Sequence, residues 1–92
     1  RNMLEVTVYQ VAEEVDYYEL QFFRDGLPRQ HVLGAGIKRV PYNPDIPVGQ
    51  PYPEKPTFNW PANLTSEQIE VKAYSVKDGV YSTESNDRDG IY

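Results

Sequence analysis

The segment Asn63-Leu-Thr-Ser-Glu-Gln-Ile-Glu-Val-Lys-Ala-Tyr-Ser-Val-Lys-Asp-Gly-Val-Tyr-Ser-Thr-Glu-Ser85 constrains the fold more than any other part of the chain. It reads as a turn, an alternating strand, a two-residue hairpin turn and a second strand. Ile69, Val71, Ala73 and Ser75 fall on one face, and Glu70, Lys72 and Tyr74 on the other, which is the period of two of a half-buried strand. Asp78-Gly79 supplies the positive φ that a tight hairpin requires, so Gly79 is expected in that conformation. A helix cannot keep those alternate residues on one side, so the segment predicts antiparallel β structure.

Two earlier stretches carry the same period. Leu4, Val6 and Val8 alternate with Glu5, Thr7 and Tyr9. Tyr18, Leu20 and Phe22 alternate with Tyr17, Glu19, Gln21 and Phe23. Arg24-Asp-Gly26 turns the chain, and Pro28 to Leu33 is short enough for an edge strand, with its proline at the start where no ladder bond is owed. Thr57 to Trp60 resumes a strand that Pro61 ends. The expected core is therefore Val6, Val8, Tyr18, Leu20, Phe22, Trp60, Leu64, Ile69, Val71 and Ala73.

Between the strands, residues 34–56 break the pattern. Pro41, Pro44, Pro47, Pro51, Pro53 and Pro56 fix φ and remove donors, so the stretch reads as one long Pro-rich loop. Residues 86–92 are polar and read as a flexible tail. With 92 residues there is room for one core, and residues 1–92 are read as a single domain. The chain opens at Arg1 without Met or a signal segment, which suggests a domain taken from a longer protein.

Composition narrows the function classes. A net charge of −5 argues against nucleic acid, because phosphate recognition needs a positive face. The hydrophobic runs fall short of the roughly 18–20 residues of a membrane span, so no membrane insertion is expected. The chain has no Cys and a single His, His31, so a thiol nucleophile is excluded and a Ser-His-carboxylate arrangement would have to recruit His31 from an edge strand. Glu13 and Glu14 lie in a polar connection, which reads as a solvated loop rather than an acid–base pair. The expectation is no enzyme, no cofactor and no catalytic residue. Ser85, Asp87 and Asp89 with Gly90 have the spacing of the first half of a calcium loop but lack its closing Glu, so no metal is expected.

Binding candidates remain. Asn63-Leu-Thr65 fits a glycosylation acceptor in an exposed turn, although the turn reading stands on its own. Lys38, Arg39, Pro41, Tyr42, Pro44 and Tyr52 are the candidate partner-binding set. Pro41, Pro44 and Pro47 would align on one edge of a polyproline helix, where an SH3-type partner could read them with Lys38 meeting acidic groups. The alternative is a stiff loop laid across the sheets. Tyr42 and Tyr52, with the outward Tyr9, Tyr17, Phe23 and Tyr74, could instead stack on sugar rings, although the long loop folding back over an outer sheet face would use the same rings in packing.

Tyr17-Tyr-Glu-Leu-Gln-Phe-Phe-Arg-Asp-Gly26 resembles the third strand and following turn of fibronectin type III domains. Asn63 to Val76 resembles that family's leucine-led turn and sixth strand, and Val80 to Ser85 the start of its last strand. Together these pieces cover about half of the chain. The departures are specific. Val8 stands where the family has a core Trp, Ile69 where it has the corner tyrosine, and the single Trp is Trp60. Only three residues precede Leu4, too few for a first strand, and the middle loop is longer. A related immunoglobulin-like sandwich fits the same residues.

The resemblance implies an all-β, two-sheet antiparallel β-sandwich. It further implies a non-catalytic interaction or spacer module of a larger extracellular or surface-assembly protein, binding a protein partner or neighbouring domains through loops or an open edge strand. A carbohydrate-binding module of a secreted enzyme is the alternative, or a structural domain of a viral tail or capsid. The missing first strand makes the edge of residues 4–9 the place to look. That edge is expected to be capped by the Pro-rich loop, by the tail after Ser85 or by a neighbouring chain.

Overall fold

The computed structural model describes residues 3–24, 32–59 and 69–82. The protein is all-β, with no helix among these residues. Its strands are β1 (Met3–Glu5), β2 (Tyr17–Arg24), β3 (Val32–Pro41), β4 (Thr57–Asn59), β5 (Ile69–Lys77) and β6 (Val80–Tyr81). They form two antiparallel sheets, one of two strands in the order β1-β4 and one of four in the order β3-β2-β5-β6.

The period-two faces of the sequence set the core. Leu4, Val6, Val8 and Phe58 come from the side of the small sheet, and Tyr18, Leu20, Phe22, Val40, Ile69 and Val71 from one face of the large sheet. All are buried in one cluster, with Ala73 packed against it. Phe22 meets Phe58 edge to face, with ring centroids 5.2 Å apart, which joins the two sheets at the cluster's centre. Trp60 and Leu64 lie outside the described residues.

The opposite face of the large sheet is also covered. Glu19, Phe23, Lys72 and Val76 point away from the core and are buried as well. The register of the sequence pattern is therefore right, but the outward residues are not all solvated.

The middle of the chain departs from the sequence pattern. The loop expected over 34–56 begins only after Pro41, because β3 runs ten residues, from Val32 to Pro41, along β2. Gly34, Ala35 and Gly36 carry no side chains that could display a period of two, so the strand was invisible locally; its pairing with β2 makes it. Tyr42 N donates to the Asp16 carbonyl at 3.1 Å. The same alternation turns the even-numbered β3 residues toward β2 and leaves Pro41's missing N–H on the free edge, where it costs no bond. The β5–β6 hairpin is as expected. Asp78 (φ 51°) and Gly79 (φ 78°) both occupy the left-handed region, as a primed two-residue turn requires.

Candidate functional site

Residues 42–56 are neither a polyproline helix nor a flap across a sheet face. Asn43-Pro44-Asp45-Ile46 is a turn closed by Ile46 N donating to the Asn43 carbonyl (3.2 Å), with Asn43 Oδ1 accepting from Asp45 N. Pro47-Val48-Gly49-Gln50 is a second turn, in which Gln50 N donates to the Pro47 carbonyl and Gly49 takes φ 94°. Pro41 ends a strand while Pro44 and Pro47 belong to turns, so these prolines do not align on one polyproline edge. The alignment that an SH3-type partner would read is therefore not formed.

Past the second turn the chain runs back beside residues 4–10 and completes a ladder. Val6 N donates to the Pro56 carbonyl, Tyr52 N to the Val8 carbonyl, Gln10 N to the Gln50 carbonyl, and Gly49 N to the Gln10 carbonyl, at 2.7–2.9 Å. β1 and β4 continue it, with Leu4 opposite Phe58. Pro56 fits because only its carbonyl is used. Pro51 stands opposite Tyr9, at a position that owes no bond to the neighbouring strand. The register slips between Val6 and Val8, so that Pro53, Glu54 and Lys55 stand exposed opposite the single residue Thr7.

A buried polar cluster locks this arrangement. Gln10 is 1% exposed. Its Oε1 accepts from the hydroxyls of Tyr18 and Tyr52 (2.8 Å for Tyr52), and its Nε2 donates to the carbonyls of Asn43 (3.0 Å) and Ile46 (3.1 Å). The Tyr52 hydroxyl in turn accepts from Asn43 N at 2.9 Å. Every polar atom of the Gln10 side chain thus has partners, which is what a polar group at a core position requires. Burial pushes the Tyr18 hydroxyl above its ordinary pKa, so it remains a donor. Tyr52, expected as an exposed partner-binding ring, is a core residue 2% exposed. Its aromatic body packs edge to face on Tyr18, and its hydroxyl faces inward.

This ladder engages the even-numbered residues alone. A strand's backbone groups point to its two sides alternately, so those of Glu5, Thr7 and Tyr9 face the opposite edge. Among the described residues none supplies them with a backbone partner. The side chains on the same outward set are half-buried at Thr7 and exposed at Met3 (49%), Tyr9 (51%) and Val11 (67%). Val11 N is engaged by the Tyr18 hydroxyl at 3.4 Å, which ends the free stretch. The result, among the described residues, is a short strand edge whose backbone donors and acceptors are unused, rimmed by the exposed side chains of Met3, Glu5, Tyr9 and Val11.

The remaining candidates are dispersed. Lys38 is half-buried opposite Leu20, whereas Arg39 lies on the outer face opposite Glu19, so the two do not form one basic patch. Arg39 Nε donates to Glu19 Oε1 at 2.9 Å, and its guanidinium sits 4.7 Å from the centroid of the Tyr17 ring. Glu19 also accepts from Gln21 (2.7 Å) and Tyr81 (2.9 Å). Burial alone would raise the Glu19 carboxyl, but these donors outweigh it and hold the carboxyl below its ordinary value. Pro41 and Pro44 are exposed and Tyr42 is half-buried; Phe23, expected to point outward, is buried on the outer face. His31, Asn63, Ser85, Asp87 and Asp89 lie outside the described residues. Among the described residues no three His, Asp or Glu side chains converge on a common point.

Sequence reasoning missed Gln10, and the signal was one step away. Continuing the inward series Leu4, Val6, Val8 puts Gln10 in the core, where a polar residue implies a partner network. Comparison of this chain with family models, with curated proteins and with solved structures returns no match.

Proposed function

We propose that this protein is a non-catalytic interaction module, a two-sheet sandwich similar to fibronectin type III, that joins its partner by strand addition to the free edge of Glu5, Thr7 and Tyr9. The single observation that carries this reading is the one-sided ladder: residues 4–10 are bonded along one side and have no backbone partner along the other among the described residues. An edge of unused N–H and C=O groups accepts an extended chain, with backbone bonds giving affinity and alternate side chains giving selectivity. The strand order supports the family likeness. Among the described residues, the orders β1-β4 and β3-β2-β5-β6 are those that a fibronectin type III sandwich would give, with its further strand as the neighbour of β1. Such a module suits a larger extracellular or surface-assembly protein in which adjoining domains or chains complete one another's sheets.

The arrangement of rings favours this over carbohydrate binding. Sugar stacking uses flat, open ring faces, whereas Tyr74 and Tyr81 meet edge to face at 78° and Tyr17 is covered by the Arg39 guanidinium. The test is amide chemical-shift mapping during titration with an extended, strand-forming peptide. The expected shifts centre on Glu5, Thr7 and Tyr9. Shifts centred on Lys38 to Tyr42, with none at the edge, would contradict the reading.

A further inference from the structure

Resting on that edge reading, we infer that the free edge is self-complementary and that its partner is a second copy of this chain, paired antiparallel about Thr7. The sequence of the edge selects this register. Placing Thr7 opposite the second copy's Thr7 sets Glu5 opposite Tyr9 and Met3 opposite Val11. All three residues with unused backbone groups then fall at positions that exchange paired hydrogen bonds. Met3 and Val11, both exposed in the single chain, shield each other at the two ends. The acidic Glu5 residues, opposite tyrosines, stay about 14 Å apart, given roughly 3.4 Å of rise per residue and about 5 Å between strands.

Neighbouring registers are worse for stated reasons. Moving the axis to Val6 brings the two Glu5 carboxylates diagonally close, and moving it to Glu5 sets them directly opposite, which is unfavourable in a sheet. Moving it to Val8 pairs Glu5 with Val11, whose N–H is already engaged by Tyr18. Pairing with the β3 edge is obstructed, since β3 offers no N–H at Pro41 and presents Arg39, committed to Glu19. A twofold interface of this kind uses the same patch on both copies and closes on itself.

Two charged chains of −5 each must approach, and the interface holds no ion pair, so added salt should strengthen the association by screening. A head-to-tail contact joining Glu5 to Arg39 would weaken instead.

The absence of Cys makes the test clean, because each introduced thiol is the only one in the chain. Thr7→Cys is treated with a short bifunctional thiol reagent, beside Glu5→Cys and Tyr9→Cys alone and an equal mixture of those two. Sedimentation of the unsubstituted chain over a concentration series, in low and high salt, guards against a variant that misfolds. The inference expects cross-linked dimer from Thr7→Cys and from the mixture, at least tenfold more than from Glu5→Cys or Tyr9→Cys alone, together with a dimer that grows with concentration and salt. Cross-linking of Glu5→Cys to itself as readily as Thr7→Cys would overturn it. So would a monomer at millimolar concentration whose Thr7 and Tyr9 amides exchange freely; that result leaves the open edge standing. Protection of those amides in a dilute monomer would overturn both the self-pairing and the edge.

Discussion

Among the described residues, the β1 and β3 edges differ in kind as places where another strand could add. The β3 edge is the longer, ten residues, yet it lacks an N–H at Pro41, carries the Arg39 charge and is irregular where β2 and β3 shift register between Gln21 and Phe23. The β1 edge is short and carries the exposed Glu5 charge, but each of Glu5, Thr7 and Tyr9 offers both a donor and an acceptor, and Met3, Tyr9 and Val11 beside it are exposed apolar side chains. Length is thus a poor guide to which edge accepts a partner. Backbone completeness and the side chains beside it decide the matter, and proline, charge and bulges are the usual means of closing an edge. The difference extends inward. The β1 edge is held in line by the neutral, largely buried cluster around Gln10, whereas the β3 edge is held by the charged cluster around Glu19 that opens to solvent through Arg39.

Removing the support of the β1 edge should have the largest effect. Gln10→Ala strips the acceptor from the Tyr18 and Tyr52 hydroxyls and the donor from the Asn43 and Ile46 carbonyls, leaving several buried polar groups unsatisfied. A loss of about 3 kcal/mol in denaturant unfolding is expected, with the Val6 and Gln10 amides losing more protection than those of β2 and β5. Tyr52→Phe removes one hydroxyl and keeps the ring on Tyr18, so it should cost about 1–1.5 kcal/mol. If the two variants cost the same, Gln10 is not the hub.

The Asp78-Gly79 turn belongs to neither the β1 nor the β3 edge and calibrates the comparison. Gly79 sits at φ 78° with open space where a Cβ would go, so Gly79→Val should cost about 1 kcal/mol through backbone strain rather than a clash. An unchanged melting temperature would argue against the turn. Amide exchange at Glu5, Thr7 and Tyr9 should not respond.

The smallest effect concerns the guarded edge. Because the folded Glu19 carboxyl lies below its unfolded value, its contribution is fully present above roughly pH 4.3 and disappears as pH falls through the folded value. Glu19→Gln should therefore destabilise by under about 1 kcal/mol at neutral pH, since Arg39 is mostly solvated. The gap between variant and parent should narrow below about pH 4. A gap that widened in acid would reverse the sign of the shift.

The two edges were unequally legible in the sequence. Alternation located β2, β5 and the hairpin, and Leu4, Val6 and Val8 faced the core as their period implied. The Pro-rich segment bonds residues 4–10 on the β4 side, not on the edge that the expectation concerned, and the tail after Ser85 lies outside the described residues. What stayed hidden depends on contacts distant in sequence. β3 passes through Gly34 to Gly36 with no pattern to read, and exists because β2 lies beside it. Tyr52 looked like a surface ring among prolines until the ladder to Val8 and the bond to Gln10 drew it inside. Burial of Glu19 and Lys72 on the outer face could not be read from a period of two, which assigns a direction to a side chain and not its depth.

Residue-resolved amide hydrogen exchange on the dilute chain tests the central claim most directly. Alternation is expected along one segment: slow exchange at Val6 and Gln10, whose N–H groups bond to the returning loop, and fast exchange at Thr7 and Tyr9, whose N–H groups face the free edge. Equal, strong protection of odd and even residues at high dilution would contradict it.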